Sequence, residues 1–519
     1  MGDDMTADLR PASSSNCADW MVDRHVRAGH GDRVALVECG ANGRRALTYA
    51  QLLAASVGMA ETLRAMMARH ATPMRIAIVG SSTLETVCAW LGAMRVGCLP
   101  CVIHPALSAD ARARQVADFR PDAVFRDRTG PAGVGVELSA LFPLGAAMPV
   151  PSDITPALAV APGDPAFCLA SSGSTGKAKL CAHAHGAIPG FDHHVTRPLW
   201  KMQADDVVLG SSGPYFSFGL QGIHTALSLG ARAVLLPEWT RHEAFLETIE
   251  REAVTIFLAV PTLFHLLMTR ASRRYDLHSL RYCLSAGERL PGVIRERWAA
   301  YAGTPLVDSI GTTESFLPYF TEVPGEPQGL RETGAFRYAY AVADRSPGDA
   351  AAMTVSLAGS LMMLGYLEPG GDARRLRQPS WFATGDLFTS VAGGWSFLSR
   401  CSERVKIAGH WVSPQGLEEF LLTDERVIQA AAVPVTTEEG LQRLRAFIVL
   451  GDAYRDGDAV VAALMRRMRD ELKPGALRPD RIEIVSGLAS SPNGKLRRGE
   501  LAAAVAGRQL AVQRGVVPI

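Results

Sequence analysis

Residues 171–183 read SSGSTGKAKLCAH, and the reading of the whole chain turns on what this stretch is for. It is rich in Ser, Gly and Thr, carries Lys177 and Lys179, and sits between apolar runs in a chain that is 48% hydrophobic. A Walker loop needs four residues between its glycines, then Lys followed by Ser or Thr. Here only Ser174 and Thr175 separate Gly173 from Gly176, and Ala178 follows Lys177. The dinucleotide fingerprint G-x-G-x-x-G is absent as well. Consecutive Gly, Ser and Thr nevertheless expose backbone N–H groups and hydroxyls that wrap an oxyanion, and the lysines add charge. The plain alternative is a flexible surface loop with two solvated lysines.

At 519 residues the chain exceeds what one core fills, so at least two domains are expected. Its 53 basic residues balance 52 acidic ones, for a net charge of +1. That argues against a protein built to coat nucleic acid or an anionic membrane. The longest apolar candidate, AVTIFLAVPTLFHLLM from Ala253, is too short for a membrane span and carries Pro261 and His265. The N-terminus, MGDDMTADLRPASSSN, is acidic and Ser-rich with no apolar signal core, and reads as a loose tail on a cytoplasmic protein. Of nine cysteines only Cys98 and Cys101 have a CxxC spacing. Inside the strand-like run GCLPCVIHP they read as buried small hydrophobes rather than a zinc site.

Helix-period and strand-like segments alternate through the first 400 residues. LTYAQLLAASVGMAETLRAMMARH has the spacing of an amphipathic helix, and RIAIVG is a short buried strand followed by the helical ETVCAWLGAMRVG. The pattern recurs through DVVLGSS, GIHTALSLG, RAVLLPE, FLETIEREAV and TIFLAVP. It predicts a large N-terminal α/β domain, residues 1–400, with mostly parallel sheets covered on both faces. Residues 401–519 start a fresh pattern: KIAGHWVSP, a helical GLEEFLLTD, the strands IQAAAVPV and RAFIVL, and the helical DAVVAALMRRMRDEL. They predict a small α+β domain.

The opening stretch resembles the [ST]SG[ST]TGxPKG signature of the AMP-forming acyl-CoA synthetases and related adenylating enzymes. It matches at Ser172, Gly173, Ser174, Thr175, Gly176 and Lys179, and departs at Ala178 and Leu180. Companion motifs follow in family order. DSIGTTES, at residues 308–315, resembles the second nucleotide motif, which ends in Thr-Glu. By that resemblance Glu314 holds Mg²⁺ against the ATP phosphates and Thr313 offers its hydroxyl to the α-phosphate. WFATGDLF resembles the family's TGD motif, so Asp386 is expected to accept the ribose hydroxyls. SRCSERVKIAGHWVSP resembles GRxDDxxKxxGxxVSP, with Arg400 placed to reach ribose or phosphate, Lys406 and Gly409 matching, and Ser402 where the acidic hinge residue usually stands. SSPNGKLRRGEL resembles the catalytic-lysine motif. Attack of a carboxylate on the α-phosphate joins two anions, and a cation at Lys495 would bridge them, worth about 10²–10³ in rate.

Among its members the chain looks most like benzoate-CoA ligases and their aryl relatives, through SFGLQGIHTALSLGARAVLL, VPTLFHLLM and LSAGERLP. That resemblance sets Ala286 and Gly287 beside the adenine and adds Glu288, Asp308, Ser309, Ile310, Gly311 and Thr312 to the nucleotide-binding set. It gives the acid pocket Phe216, Phe218, Gly219, Ile310, Gly311 and Leu317, a flat apolar slot suited to an aromatic acid. Leu317 stands where the aryl branch commonly has His, and the segment AYAVADRSPGDAAAMTVSLAGSLMMLGYL, read as a linker, lacks the usual Gly-Glu-Leu strand start. The expected reaction joins ATP and a small carboxylic acid into an acyl-adenylate and pyrophosphate. A rotation of the mobile C-terminal domain then presents CoA for thioester formation. A separate carrier protein's phosphopantetheine arm is the alternative acceptor. A non-catalytic nucleotide or acyl-ligand binder is the reading from another class, opposed by intact Glu314, Asp386 and Lys495.

Overall fold

The computed structural model describes residues 16–505, apart from 41–42, 68–73, 142–154, 172–177, 240, 344–350, 438–440, 452–453, 455, 489–497, 499–500 and 503–504. The N-terminal tail therefore lies outside the described residues. So do Ser172, Gly173, Ser174, Thr175 and Gly176 of the opening stretch, and Lys495.

The alternating pattern becomes two large sheets packed against one continuous core. A nine-stranded sheet has six adjacent parallel strands, Leu306–Gly311, Tyr282–Ser285, Ile256–Ala259, Val207–Gly210, Arg232–Leu235 and Val34–Gly40. A seven-stranded sheet has a parallel run through Pro165–Ser171, Leu99–Ile103, Arg75–Val79, Ala123–Arg126 and Val136–Glu137. The edges differ from the expected parallel layout. Pro318–Thr321 and Arg331–Glu332 add antiparallel to the first sheet, and Lys179–Ala184 and Gly365–Tyr366 add antiparallel to the second.

Short connections reverse the chain into Pro318–Thr321 and Arg331–Glu332, where parallel strands need long crossovers, while Gly365–Tyr366 joins its edge from far along the chain. Within the segment read as a linker lie the strands Met353–Ala358 and Gly365–Tyr366, together with most of Arg337–Val342. Two of them join Phe382–Val391 and Gly394–Arg400 in a four-stranded antiparallel sheet. The segment is two-faced: Val355, Leu357 and Ala358 are buried while the outer strand is largely exposed, a half-polar pattern easily mistaken for a loop.

The apolar run from Ala253 splits into the strand Ile256–Ala259 and the helix Pro261–Arg270, with Pro261 opening the helix. Among the described residues no helix is long and apolar enough to cross a membrane. Cys98 and Cys101 are buried thiols, and no described group of three His, Cys, Asp or Glu side chains is arranged to hold a metal.

Beyond Arg400 the chain forms the hairpin Val405–Ile407 and His410–Val412, then a three-stranded sheet of Val427–Thr436, Gln442–Leu450 and Pro479–Ile484. The helices Pro414–Leu422 and Gly457–Glu471 pack on one face of this sheet around Leu417, Leu421, Leu464 and Met468. The smaller unit leans on the larger one through Arg289, whose guanidinium pairs with Glu419 at 2.8 Å, and through Arg297, which donates to the Thr423 carbonyl at 3.2 Å.

Candidate active site

A cavity of about 610 Å³ is lined by residues of the two large sheets, the four-stranded sheet and the small unit. Lys179 and Tyr366 approach from the antiparallel edge of the seven-stranded sheet, where Tyr366 pairs in register with Cys181. Tyr366 donates its hydroxyl to Glu314 Oε1 at 2.8 Å, and Lys179 Nζ stands 4.9 Å from the centre of the Tyr366 ring. The cation over the ring and the carboxylate on the phenol link the end of the opening stretch to Glu314. Burial first, and then the hydrogen bond and charge of Glu314, hold the Tyr366 phenol well above its ordinary value, so it stays a donor.

Glu314 itself rests on a turn that the sequence only half declares. Thr312 and Ser315 exchange bonds, each backbone N–H to the other's hydroxyl at 3.1 Å. Phe316 then takes a left-handed backbone with φ +56, rare for a bulky residue, and its N–H returns to the Thr312 carbonyl at 3.0 Å. Met363 N–H caps the Glu314 carbonyl at 2.9 Å. Phe316 borders the cavity, but its ring is as buried as Leu317 and packs among Phe167, His183 and His224. Leu317, expected in the pocket, lies in the core and does not line the cavity.

Also on the lining, Asp386 and Arg400 face each other across neighbouring antiparallel strands, with Arg400 Nε 2.9 Å from Asp386 Oδ1. Asp386 is only 2% exposed, and its second oxygen accepts the hydroxyl of fully buried Tyr319. Burial, then the Asp386 charge, pushes the Tyr319 phenol far up, which keeps it protonated against the carboxylate. Nothing in the motif pattern singled out Tyr319 or Tyr366. The Gly-Tyr pair in LMMLGYL was the available signal for the latter.

The remaining expected residues divide cleanly. Thr313, Ala286, Gly287, Glu288, Ser309, Ile310, Gly311 and Thr312 line the cavity, with Phe216 and Phe218 forming its apolar wall. Glu288 accepts the Thr262 hydroxyl at 2.7 Å. Gly219 stands behind this wall, where a Cβ would meet the Gly213 carbonyl oxygen at 1.9 Å, so its role is close packing of the helix Ser217–Leu229. Asp308 also lies off the cavity lining. Its carboxylate accepts its neighbour Ser309 N–H at 3.0 Å, and its own N–H donates to Glu322, which holds Arg295 at 2.7 Å. Burial and the Glu322 charge raise Asp308 to about 7, against the pull of Arg295. Lys406 and Gly409 sit on the hairpin away from the cavity, where Ala408 and Gly409 both take positive φ in its two-residue turn.

The small unit closes the cavity with Glu418 and Arg498, neither of which the motif reading singled out. The Arg498 side chain forks onto Glu418, with Nε at 2.9 Å and Nη2 at 2.5 Å, and both residues line the cavity. Ser402, at the hinge position, lines it too.

A family profile described as AMP-binding enzyme matches residues 22–367, and a second, AMP-binding enzyme C-terminal domain, matches residues 416–495. The chain is 28% identical to a 4-hydroxybenzoate–CoA/benzoate–CoA ligase of Rhodopseudomonas palustris over 94% of each chain. It is 27% identical to a benzoate–CoA ligase of Thauera aromatica, over 94% of this chain and 96% of the relative. Among solved structures it resembles an anthranilate CoA ligase bound to anthranoyl-AMP, with a TM-score of 0.83 at 22% identity over 95% of this chain and 98% of the other. A benzoate CoA ligase from Burkholderia xenovorans LB400 gives 0.79 at 23% identity, over 94% and 99%.

Proposed function

The chain belongs to the AMP-binding enzyme family, and we propose that it is an aryl-CoA ligase that activates an aromatic carboxylic acid as its adenylate before thioester formation. The observation that carries this reading is the cavity itself. Its lining gathers Lys179, Glu314, Asp386 and Arg400, groups suited to a nucleoside polyphosphate. Phe216, Phe218 and Ile310 add apolar surface to the same lining. An apolar slot beside a charged nucleotide site suits a flat acid presented to an α-phosphate.

In this reading Asp386 receives the ribose hydroxyls and Arg400 holds its carboxylate in place. Glu314, with phosphate oxygens completing the shell, would hold a Mg²⁺ ion whose charge offsets that of the polyphosphate. A single carboxylate fits this purpose, because Mg²⁺ beside ATP draws most of its ligands from phosphate and water. Thr313 bonds the α-phosphate, and Lys495 bridges carboxylate and phosphate as they join. Arg498 follows Lys495 by three positions and lines the cavity, which supports delivery of that lysine from the small unit. The boundary is drawn between Arg400 and Cys401, with Ser402 in the hinge. Rotation there would exchange the Arg498 face for the Lys406–Gly409 hairpin in the second half-reaction. Both curated relatives are named as CoA ligases, which supports CoA as the acceptor over a carrier protein's phosphopantetheine arm.

Acid-dependent exchange of labelled pyrophosphate into ATP tests the first step. Exchange with benzoate-class acids and a Lys495→Ala loss of about 10²–10³ are expected, while preformed adenylate should still react with CoA. Absence of exchange with every aromatic acid tried overturns the proposal.

A further inference from the structure

Gln221 is a polar side chain on the wall where the acid would sit. It lies on the helix Ser217–Leu229, lines the cavity with Phe218 from the preceding turn, and is 6% exposed. Its amide is not free to turn over. Nε2 donates to the Phe316 carbonyl at 3.0 Å, and a carbonyl only accepts, so the nitrogen must face Phe316. Oε1 is thereby fixed on the other arm of the amide, and it accepts no hydrogen bond among the described residues. Phe216, Phe218 and Ile310 line the cavity around it, with Ser217 one turn back on the same helix. The nearest ionisable side chain one turn along, His224, is fully enclosed against Phe191 and Phe316, so it offers Oε1 no partner from the cavity side.

An acceptor held in one direction and open to the cavity can take a donor from the ligand that fills it, and a site that hydrogen-bonds a substrate hydroxyl or amine rejects the analogue lacking it. Resting on the ligase reading above, we infer that Gln221 is a specificity-determining residue, and that the preferred acid is an aromatic carboxylic acid bearing a hydroxyl or amino substituent that donates to Gln221 Oε1. The bond to Phe316 makes the recognition rigid. It ties Oε1 to the same left-handed turn that positions Glu314, so the ring substituent and the metal-binding carboxylate are registered through one short segment.

The test is pyrophosphate exchange across matched acids, with hydrogen, fluorine, hydroxyl or amino at the same ring position. The wild-type protein should favour the donor-bearing acid at one ring position by about tenfold or more in kcat/KM. Gln221→Leu, checked for an intact thermal transition, should shrink that ratio several-fold. Equal rates for fluoro and hydroxy acids at every ring position overturn the inference while leaving the ligase reading intact. An unchanged ratio in folded Gln221→Leu overturns it too. Exchange with no aromatic acid instead fails the underlying reading. If the variant does not fold, the wild-type series alone decides.

Discussion

Glu314 and Asp386 are two carboxylates lining one cavity, each bonded by a tyrosine, yet their surroundings are opposite. Asp386 is almost wholly enclosed, with a guanidinium on one oxygen and a phenol on the other. Glu314 is half-buried, takes a single phenolic bond, and forms no ion pair among the described residues. A carboxylate already matched by Arg400 has little charge left to offer a cation but keeps lone pairs for neutral hydroxyls. A carboxylate without a cation of its own retains its charge for one. Under the proposed function, the fold would sort two similar groups into a hydroxyl acceptor and a cation ligand through the company each keeps.

The contrast makes its largest demand on Glu314. Glu314→Gln keeps the Tyr366 contact in shape but removes the charge, and should lower pyrophosphate exchange by about 10²–10³ while raising the Mg²⁺ concentration needed for half-maximal rate. An unchanged Mg²⁺ titration would remove Glu314 from the cation site. A smaller effect is expected at Tyr319. Tyr319→Phe removes the phenol from Asp386, and should raise the KM for ATP by about 2–10-fold with little change in kcat. Its discrimination between ATP and 2′-deoxy-ATP should weaken in step, and equal discrimination would assign Tyr319 to packing alone.

The smallest effect concerns Asp308, a third carboxylate, in the strand Leu306–Gly311 and off the cavity lining. Raised from 3.8 to about 7, it binds its proton in the folded state at pH values where the unfolded chain has lost it. Its protonation therefore stabilises the fold fully below about pH 4, and that contribution is lost as the pH rises through 7. The melting temperature of the wild type relative to Asp308→Asn should fall from pH 5 to pH 8, and a flat difference would refute the assignment.

Much of this was legible in the sequence because the motifs are local. Thr313, Glu314, Asp386 and Arg400 each sit in a short run whose residue types announce a turn or a strand end. Tyr366 was not legible, because its meeting with Glu314 depends on register between Gly365–Tyr366 and Lys179–Ala184, set by strands 180 or more positions apart. The burial of Leu317 behind the pocket was hidden for another reason. A left-handed non-glycine residue turns the backbone at Phe316, and nothing in TTESFL marks it. Gln221 looked like one more residue of a helix, and only its fixed amide gives it a direction. Leu180, a departure from the family Gly, proves to be a core residue whose carbonyl takes the Leu367 N–H at 2.7 Å, so it anchors the strand leaving the opening stretch.

The two phenols have a use beyond bracing. Tyr319 and Tyr366 each end on a cavity-lining carboxylate expected to change partners when nucleotide arrives, and each stands behind a different one. Fluorotyrosine placed at either position would convert that change of partner into a shift of a single fluorine resonance. The protein thus carries two native positions from which the filling of the sugar and phosphate ends could be timed separately, with no added dye and no alteration of backbone.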